Sequence, residues 1–258
     1  MPIVAGLHYY YHEGGDPNKP PLLLIHGEGG DHLSWPSEVR RLPGYRVYAL
    51  DLPGHGHSEG PGLQSVPAYV DSLLQFMNRC SLSRAVLVGQ GLGGAIALAL
   101  ACRSAERLAG LVLVASGARL PVAAALLENA DNASTYPAAL QALLSGMCTT
   151  TTDPRLQQAV SGRLSAVRRT LLVGDLRACE SVDLQAELAS IRTPVLVVCG
   201  TEDRLTPLRL SEQLAGAIPG AALQTIDGSG HLVALEQPRR LAGLLSVFLA
   251  TVAYHPGA

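Results

Sequence analysis

The segment AVLVGQGLGGAIALA, residues 85–99, determines how the rest of the chain is interpreted. Its first four residues are apolar and typical of a buried strand, whereas its last five are rich in Ala and Leu and typical of a buried helix. The glycines between them predict a tight turn from strand to helix. Gly91 lies at the centre of a Gly-x-Gly-x-Gly pattern and can adopt a left-handed backbone conformation without steric cost.

A glycine-rich turn between a strand and a helix can bind phosphates, or it can simply connect the two elements. It is typical of loops that cradle the phosphates of a dinucleotide, but here it opens in mid-chain. No acidic residue follows at a strand end about twenty residues later, as such a site requires. It is also compatible with a plain connection that has no functional role.

Composition limits the classes of protein to which the chain can belong. It has 258 residues, of which 48% are hydrophobic and 16% charged, enough for a substantial core. A formal net charge of −2 gives no electrostatic reason to expect nucleic acid or an anionic membrane as a partner. The N-terminus lacks the pattern of a signal peptide. The five cysteines are scattered, as is typical of thiols in a reducing compartment. We therefore expect a cytoplasmic protein.

Strand and helix patterns alternate along most of the chain. Short apolar runs predict strands at 22–25, 45–50, 85–88, 111–115, 194–199 and 222–226, with an opening hairpin or strand within 3–12. Such alternation predicts an α/β fold with a mostly parallel sheet covered by helices on both faces. Residues 119–182 contain only helical patterns, which indicates a helical lid inserted into a single domain, 1–258. Ligands of such sheets bind at the carboxyl ends of the strands.

Five motifs lie at those predicted strand ends. They are His26-Gly27, Asp51-x-Pro-Gly-x-Gly-x-Ser58, the glycine turn around Gly91, Gly200-x-x-Asp203-x-x-x-Pro207, and Gly230-His231 followed by Glu236-Gln237-Pro238. Because the five motifs occur in this order and spacing, the chain resembles the α/β-hydrolase superfamily. Within it the chain is similar to small serine carboxylesterases, such as the carrier-protein methyl esterase of biotin synthesis and the enol-lactone hydrolases of aromatic degradation. The resemblance implies the α/β-hydrolase fold and covers nearly the whole chain, most loosely over 119–180.

In that family the strand–helix turn carries the nucleophile of a Ser-Asp-His triad in the pattern Gly-x-Ser-x-Gly. The histidine takes the proton of the serine, and the carboxylate orients the histidine. The resemblance assigns Asp203 and His231 to the triad, with Glu202 and Asp227 as rivals of Asp203. Gly91 stands where the serine belongs, so the pattern predicts a site without its nucleophile.

The remaining candidate site residues surround this position. The resemblance suggests that the backbone N–H groups of Leu92 and Glu28 form the oxyanion hole, which stabilises the negative charge of the transition state. Glu28 occupies a position that is more often apolar or aromatic. We expect its side chain to turn to solvent; the alternative is that it disfavours anionic acyl groups. Trp35 and Ser116 are predicted to contact substrate.

The other histidines of these motifs are not predicted to be catalytic. His26 is predicted to brace its own loop. His55 and His57 are predicted to lie in a solvent-side turn without acidic or cysteine partners, so we expect neither a metal nor a cofactor.

The predicted lid carries cationic and apolar residues. The cations are Arg155, Arg163, Arg168 and Arg169. The simplest interpretation is a solvated helix face, and the alternative is a surface that docks an acidic carrier protein or a carboxylate-bearing substrate. The Ala and Leu residues of the lid indicate an apolar acyl pocket beneath it.

Three hypotheses follow from the missing serine. The favoured one is a carboxylic-ester hydrolase of small esters, either free or linked to a carrier protein, in an engineered, inactive form. The second is a natural non-catalytic binding protein or receptor on the same fold. The third is an enzyme that uses another nucleophile or none.

Overall fold

The computed structural model describes residues 2–254, and within them it contains one eight-stranded sheet. The strands are β1 (Ile3–Val4), β2 (Leu7–His12), β3 (Leu22–Ile25), β4 (Val47–Leu50), β5 (Ala85–Gln90), β6 (Leu108–Val114), β7 (Val195–Gly200) and β8 (Ala222–Ile226). They lie in the order β1-β2-β4-β3-β5-β6-β7-β8. β2 is antiparallel to both of its neighbours, and the strands from β4 to β8 pair in parallel. The predicted α/β-hydrolase fold, with its mostly parallel sheet, is confirmed.

Helices cover both faces of the sheet. They are α1 (Ser37–Arg40), α2 (Val66–Arg79), α3 (Leu92–Arg103), α4 (Ala124–Asp131), α5 (Tyr136–Met147), α6 (Pro154–Ala166), α7 (Arg169–Ser181), α8 (Leu208–Ala217), α9 (Val233–Glu236) and α10 (Pro238–Leu249). Side chains of a strand alternate between its faces. In β3, Leu23 and Ile25 therefore join the core that α2 and α3 complete, while Leu22 and Leu24 join the core beneath α10.

Helices α4 to α7 form an insertion between β6 and β7. They enclose a third apolar core of their own, which includes Leu143, Val160, Leu164, Leu172 and Leu176. Helix α7 also contacts α2 and α3, so the insertion packs against one face of the sheet's helical cover. No helix within residues 2–254 combines the length and apolarity needed to cross a membrane.

The glycine turn joins β5 to α3 with the positive φ that the sequence predicts for Gly91. Gly91 has φ +52° and ψ −120°, and it is the residue before the first turn of α3. A Cβ on Gly89 would collide with the carbonyl oxygen of Gly93, and a Cβ on Gly93 would collide with that of Ile25. The flanking glycines are therefore required because the strand, the turn and the helix approach one another too closely for side chains.

The segment after His231 is not one continuous helix. The structure has two helices, α9 and α10, separated at Gln237. Pro238 has no backbone N–H and disfavours helical geometry in the residue before it, which ends α9 and starts α10.

Candidate active site

Loops at the carboxyl ends of four strands bring the predicted residues together. Glu28 follows β3, Gly91 follows β5, Asp203 follows β7 and His231 follows β8. A cavity of about 320 Å³ lies between these loops and the insertion. A second space of about 30 Å³ lies on the other side of Glu28 and His231 and reaches Gly91. This is the edge of the sheet at which the sequence predicts a ligand.

Asp203 contacts the imidazole of His231. Asp203 Oδ2 lies 3.1 Å from His231 Nδ1, and the Thr206 hydroxyl donates to the same carboxylate oxygen at 2.6 Å. The other oxygen, Oδ1, accepts the backbone N–H groups of Leu205 and Thr206 at 2.9 Å each. The rival carboxylates, Glu202 and Asp227, are exposed. The structure thus brings Asp203, and neither rival, to the histidine.

The charges of this pair are strongly coupled. Burial lowers the pKa of His231, but the negative charges of Asp203, Glu28 and Glu236 and the hydrogen bond to Asp203 outweigh it, raising the pKa to about 9. Burial raises the pKa of Asp203, and the charge and hydrogen bonds from His231 and Thr206 outweigh that effect and lower it. His231 is therefore an imidazolium at neutral pH, held between carboxylates on both sides.

The loop that carries His231 is fixed by contacts that the sequence did not indicate. Glu236 Oε2 accepts the N–H of Gly230 at 2.6 Å and the hydroxyl of Ser229 at 2.7 Å. The side-chain amide of Gln90 donates to the His231 carbonyl at 3.0 Å. Glu236 is part of the last sequence motif and lies at the end of α9. Its contacts form because the loop at Ser229 and Gly230 folds back onto α9, and no local sequence pattern predicts that.

Gly91 faces the imidazole across the turn. A Cβ built on Gly91 would lie 3.3 Å from His231 Nε2. Any side chain at this position would therefore project toward the histidine nitrogen that Asp203 leaves free.

The Glu28 carboxylate occupies the space that a side chain on Gly91 would fill. Its Oε2 lies 2.8 Å from the position of that Cβ and accepts the N–H of Leu92 at 3.4 Å. Its Oε1 lies 3.8 Å from His231 Nε2, and the side chain is only 9% exposed. The expectation that Glu28 turns to solvent is wrong, because the missing side chain of Gly91 leaves room for it beside an N–H donor and an imidazolium.

Two residues predicted to contact substrate lie elsewhere. Trp35 is fully buried in the core beneath α10 and lines neither of the two spaces described above. Ser116 lies behind the turn, where its hydroxyl donates to the Gly91 carbonyl at 2.8 Å. Both predictions relied on proximity in sequence to strand ends and did not account for side-chain direction.

His26 and His55 are buried beside the cavity. His26 Nδ1 donates to the Gly27 carbonyl at 2.7 Å and its Nε2 accepts the N–H of Leu52 at 3.0 Å, an arrangement that braces the loop. Burial and the neighbouring His55 lower the pKa of His26 to about 4. The prediction of a solvent-side, unpaired His55 is wrong. It is 2% exposed, and its Nε2 lies 2.8 Å from Asp175 on α7, 120 residues away in sequence.

His57 is exposed, as predicted, but a buried cluster of side chains lies next to it. His8 Nδ1 and His32 Nδ1 lie 2.6 Å and 2.9 Å from different oxygens of Asp51. Two imidazoles and a carboxylate are a common donor set for transition metals. Each Asp51 oxygen also accepts a backbone N–H, one from His32 and one from His57. The hydrogen bonds of this cluster therefore account for its geometry without an ion.

The insertion supplies the apolar wall of the cavity. Its contribution comes from α6, α7 and the segment between them: Val160, Leu164, Val167 and Leu171. Arg163 and Arg168 also line the cavity, whereas Arg155 and Arg169 do not. Arg168 donates to the carbonyls of Gly54 and Gly60 at 3.1 Å each.

Comparisons with known proteins identify the family of the chain. The chain is 31% identical to the 2-hydroxymuconate semialdehyde hydrolase of Pseudomonas putida, covering 96% of this chain and 92% of that one. It is 32% identical to a pimeloyl-[acyl-carrier protein] methyl ester esterase of Aromatoleum aromaticum, covering 88% and 97%. Among solved structures, the enol-lactonase of Burkholderia xenovorans superposes with a TM-score of 0.87 at 26% identity, covering 95% and 96%. The model of the alpha/beta hydrolase family matches residues 22–244. The chain therefore belongs to the alpha/beta hydrolase family.

Proposed function

We propose that this site recognises small carboxylic esters, as a carboxylesterase does, in a form that cannot form an acyl-enzyme on a serine. The observation that carries the proposal is the direction of Gly91, whose missing side chain points at the free nitrogen of His231 while Asp203 holds the other. An N–H donor of the predicted oxyanion hole, that of Leu92, lies beside the same point. These are the parts that acyl transfer needs, apart from the hydroxyl.

A carrier-linked ester is the form that some relatives take as substrate, judging by their names. Arg163 lines the cavity, and within residues 2–254 it has no carboxylate at ion-pair distance. It is therefore the residue of the insertion best placed to accept an anionic group on the alcohol or carrier side of an ester.

The second candidate is a binding protein without catalysis. It is favoured by the Glu28 carboxylate, which fills the place of the nucleophile and takes up the Leu92 N–H. With Glu28 in this position, an ester carbonyl reaches the oxyanion hole only if the side chain moves.

Restoring the hydroxyl tests the proposal. We expect Gly91→Ser alone to be weakly active on short-chain nitrophenyl esters, because Glu28 crowds the new side chain and helps to keep His231 protonated. Gly91→Ser combined with Glu28→Ala removes both obstacles, and we expect turnover of roughly 1–10³ per second on a good ester. The serine must accept φ +52°, which costs on the order of 1–3 kcal/mol of folding stability.

The matched control is the triple variant that adds His231→Ala, in which the hydroxyl again lacks a base. An active double variant silenced by the third change supports an ester-hydrolase site. A double variant that folds, binds an ester and stays inert refutes the triad and leaves the binding protein. The unaltered chain should turn over esters far more slowly than one per second.

A further inference from the structure

Glu28 has more hydrogen-bonding capacity than the protein uses. An ionised carboxylate can accept about four hydrogen bonds. Within residues 2–254 the side chain of Glu28 accepts one, at the long distance of 3.4 Å from the N–H of Leu92. It is about nine-tenths buried and contacts both spaces of the site. Oε1 accepts no hydrogen bond within these residues and faces the imidazolium of His231 at 3.8 Å, so this oxygen is free to react with a ligand.

The surrounding groups converge on the carboxyl carbon of Glu28. Oε2 lies at the N–H of Leu92, where the oxyanion of a tetrahedral intermediate would be stabilised. Oε1 lies 3.8 Å from His231 Nε2, the nitrogen that would deliver an activated water. Asp203 orients the imidazole from its other side. The arrangement is thus suited to hydrolysing an ester whose acyl group is Glu28 itself.

We propose that Glu28 is a catalytic nucleophile, and that the site opens small apolar epoxides to diols through an ester on Glu28. In the first step Glu28 Oε1 attacks an epoxide carbon and forms a C–O bond. The ring C–O bond breaks, and its oxygen takes the proton from His231 Nε2. In the second step neutral His231 removes a proton from water, and the hydroxide attacks Glu28 Cδ. The ester bond between Glu28 Cδ and the substrate oxygen then breaks, and the diol oxygen takes that proton from His231. A second proton passes from the new carboxyl group of Glu28 to His231. The carboxylate and the imidazolium are thereby restored.

The chemistry of the groups selects an epoxide over other electrophiles. A carboxylate that attacks an ester gives an anhydride, which is less stable than the ester consumed, so the serine chemistry does not transfer to Glu28. Epoxide opening requires a proton for the alkoxide that leaves, and His231 lies beside Oε1 to supply it. The cavity of about 320 Å³ has an apolar wall formed by Val160, Leu164 and Leu171, against which the hydrocarbon part of a compact epoxide can pack.

This inference shares the hydrolase-type site of the proposed function but does not require that the ligand be an ester. The tests are separate. The ester test uses the double variant Gly91→Ser with Glu28→Ala, which lacks the nucleophile proposed here. The epoxide test uses the unaltered chain and needs Glu28.

The experiment is a single turnover of styrene oxide by excess unaltered protein in H₂¹⁸O. We expect the diol of this first turnover to carry no ¹⁸O, because its new oxygen comes from Glu28, and the peptide containing Glu28 to gain the label. Glu28→Gln keeps the shape but lacks the nucleophile, and we expect diol formation to fall by at least about 10³-fold. Glu202→Gln removes an exposed carboxylate near the site and serves as the control with unchanged rate.

A second measurement traps the intermediate. His231→Gln lacks the base for the second step and also the proton donor of the first, which solvent water must replace more slowly. Prolonged incubation with styrene oxide should therefore leave an adduct on Glu28 that intact-mass analysis detects. The adduct should be absent from the double variant with Glu28→Gln. The proposal is overturned if the folded protein forms no diol above the buffer rate. It is equally overturned if ¹⁸O enters the first-turnover diol, or if Glu28→Gln keeps the rate.

Discussion

Gly91 and Glu28 are complementary in volume and in charge. The glycine leaves a space next to His231, and the carboxylate fills it at 2.8 Å from the position of the missing Cβ. The same carboxylate contributes to the raised pKa of the histidine, so the charge state of the site depends on a residue from another strand loop. Removal of either residue changes both the space available and the protonation of the base.

The raised pKa of His231 predicts a specific dependence of stability on pH. The folded protein binds the proton up to about pH 9, whereas the unfolded chain releases it near pH 6.5. The stabilisation is fully present below pH 6.5 and is lost as pH rises through 9. Its size is on the order of 3 kcal/mol. Urea denaturation at a series of pH values should show this loss for the unaltered protein and a flatter profile for His231→Gln. Parallel profiles would contradict the protonated site.

At the scale of elements, the junction between α6 and α7 positions the wall of the cavity. Two arginines at this junction line the same cavity but have different surroundings. Arg168 joins the insertion to the loop after β4 by two hydrogen bonds to backbone carbonyls, at Gly54 and Gly60. The side chain of Arg163 donates no hydrogen bond within residues 2–254. The predicted solvated face therefore contains one arginine that braces the fold and one that remains available for a ligand.

This difference predicts different outcomes for two similar substitutions. Arg168→Ala removes both hydrogen bonds and should lower the free energy of unfolding by about 1 kcal/mol, a modest loss because solvent screens the charge of this exposed side chain. It should also raise hydrogen exchange over residues 54–60. Arg163→Ala is the matched control and should change neither quantity. An equal effect of both substitutions would show that the two hydrogen bonds of Arg168 do not hold the loop.

At the scale of the whole molecule, Asp175 connects the insertion to the sheet. This fully buried carboxylate on α7 accepts the hydroxyl of Tyr69 at 2.6 Å and the N–H of Gly29 at 2.8 Å, and it pairs with His55 at 2.8 Å. Its three partners belong to α2 and to the loops after β3 and β4. One side chain thus holds together four parts of the chain around the cavity.

Asp175→Asn should destabilise the protein strongly. The amide removes the charge that His55 pairs with in the interior, and breaking such a pair costs about 3 kcal/mol or more. Asp131→Asn is the matched control, because its exposed pairs with Arg169 and Arg177 are worth about 1 kcal/mol or less. Thermal and urea unfolding of the two variants provide the comparison. A similar small loss in both would mean that the Asp175 network does not couple the insertion to the sheet.

Much of the fold was determined by local sequence. Apolar runs of strand length and glycines at the turn depend on neighbours within a few residues, so they predict the strands and the glycine turn around Gly91. Boundaries were less certain. β6 begins at Leu108 rather than at Leu111, because pairing with β5 extends the strand beyond its most apolar residues. The resemblance based on the order of the motifs also predicted that Asp203 and His231 lie together, and the structure places them 3.1 Å apart.

Only the tertiary structure decided what Glu28, His55, Trp35 and Ser116 contact. Each of these residues lies in a loop or turn, where no periodicity indicates the direction of a side chain. Glu28 turns inward because Gly91, more than sixty residues away, leaves a space beside an imidazolium and an N–H donor. His55 is buried because Asp175 reaches it from the insertion. The sequence by itself determined which strands and turns form. The charges and side chains that meet at the site depend on packing between distant segments, since local sequence does not encode those distances.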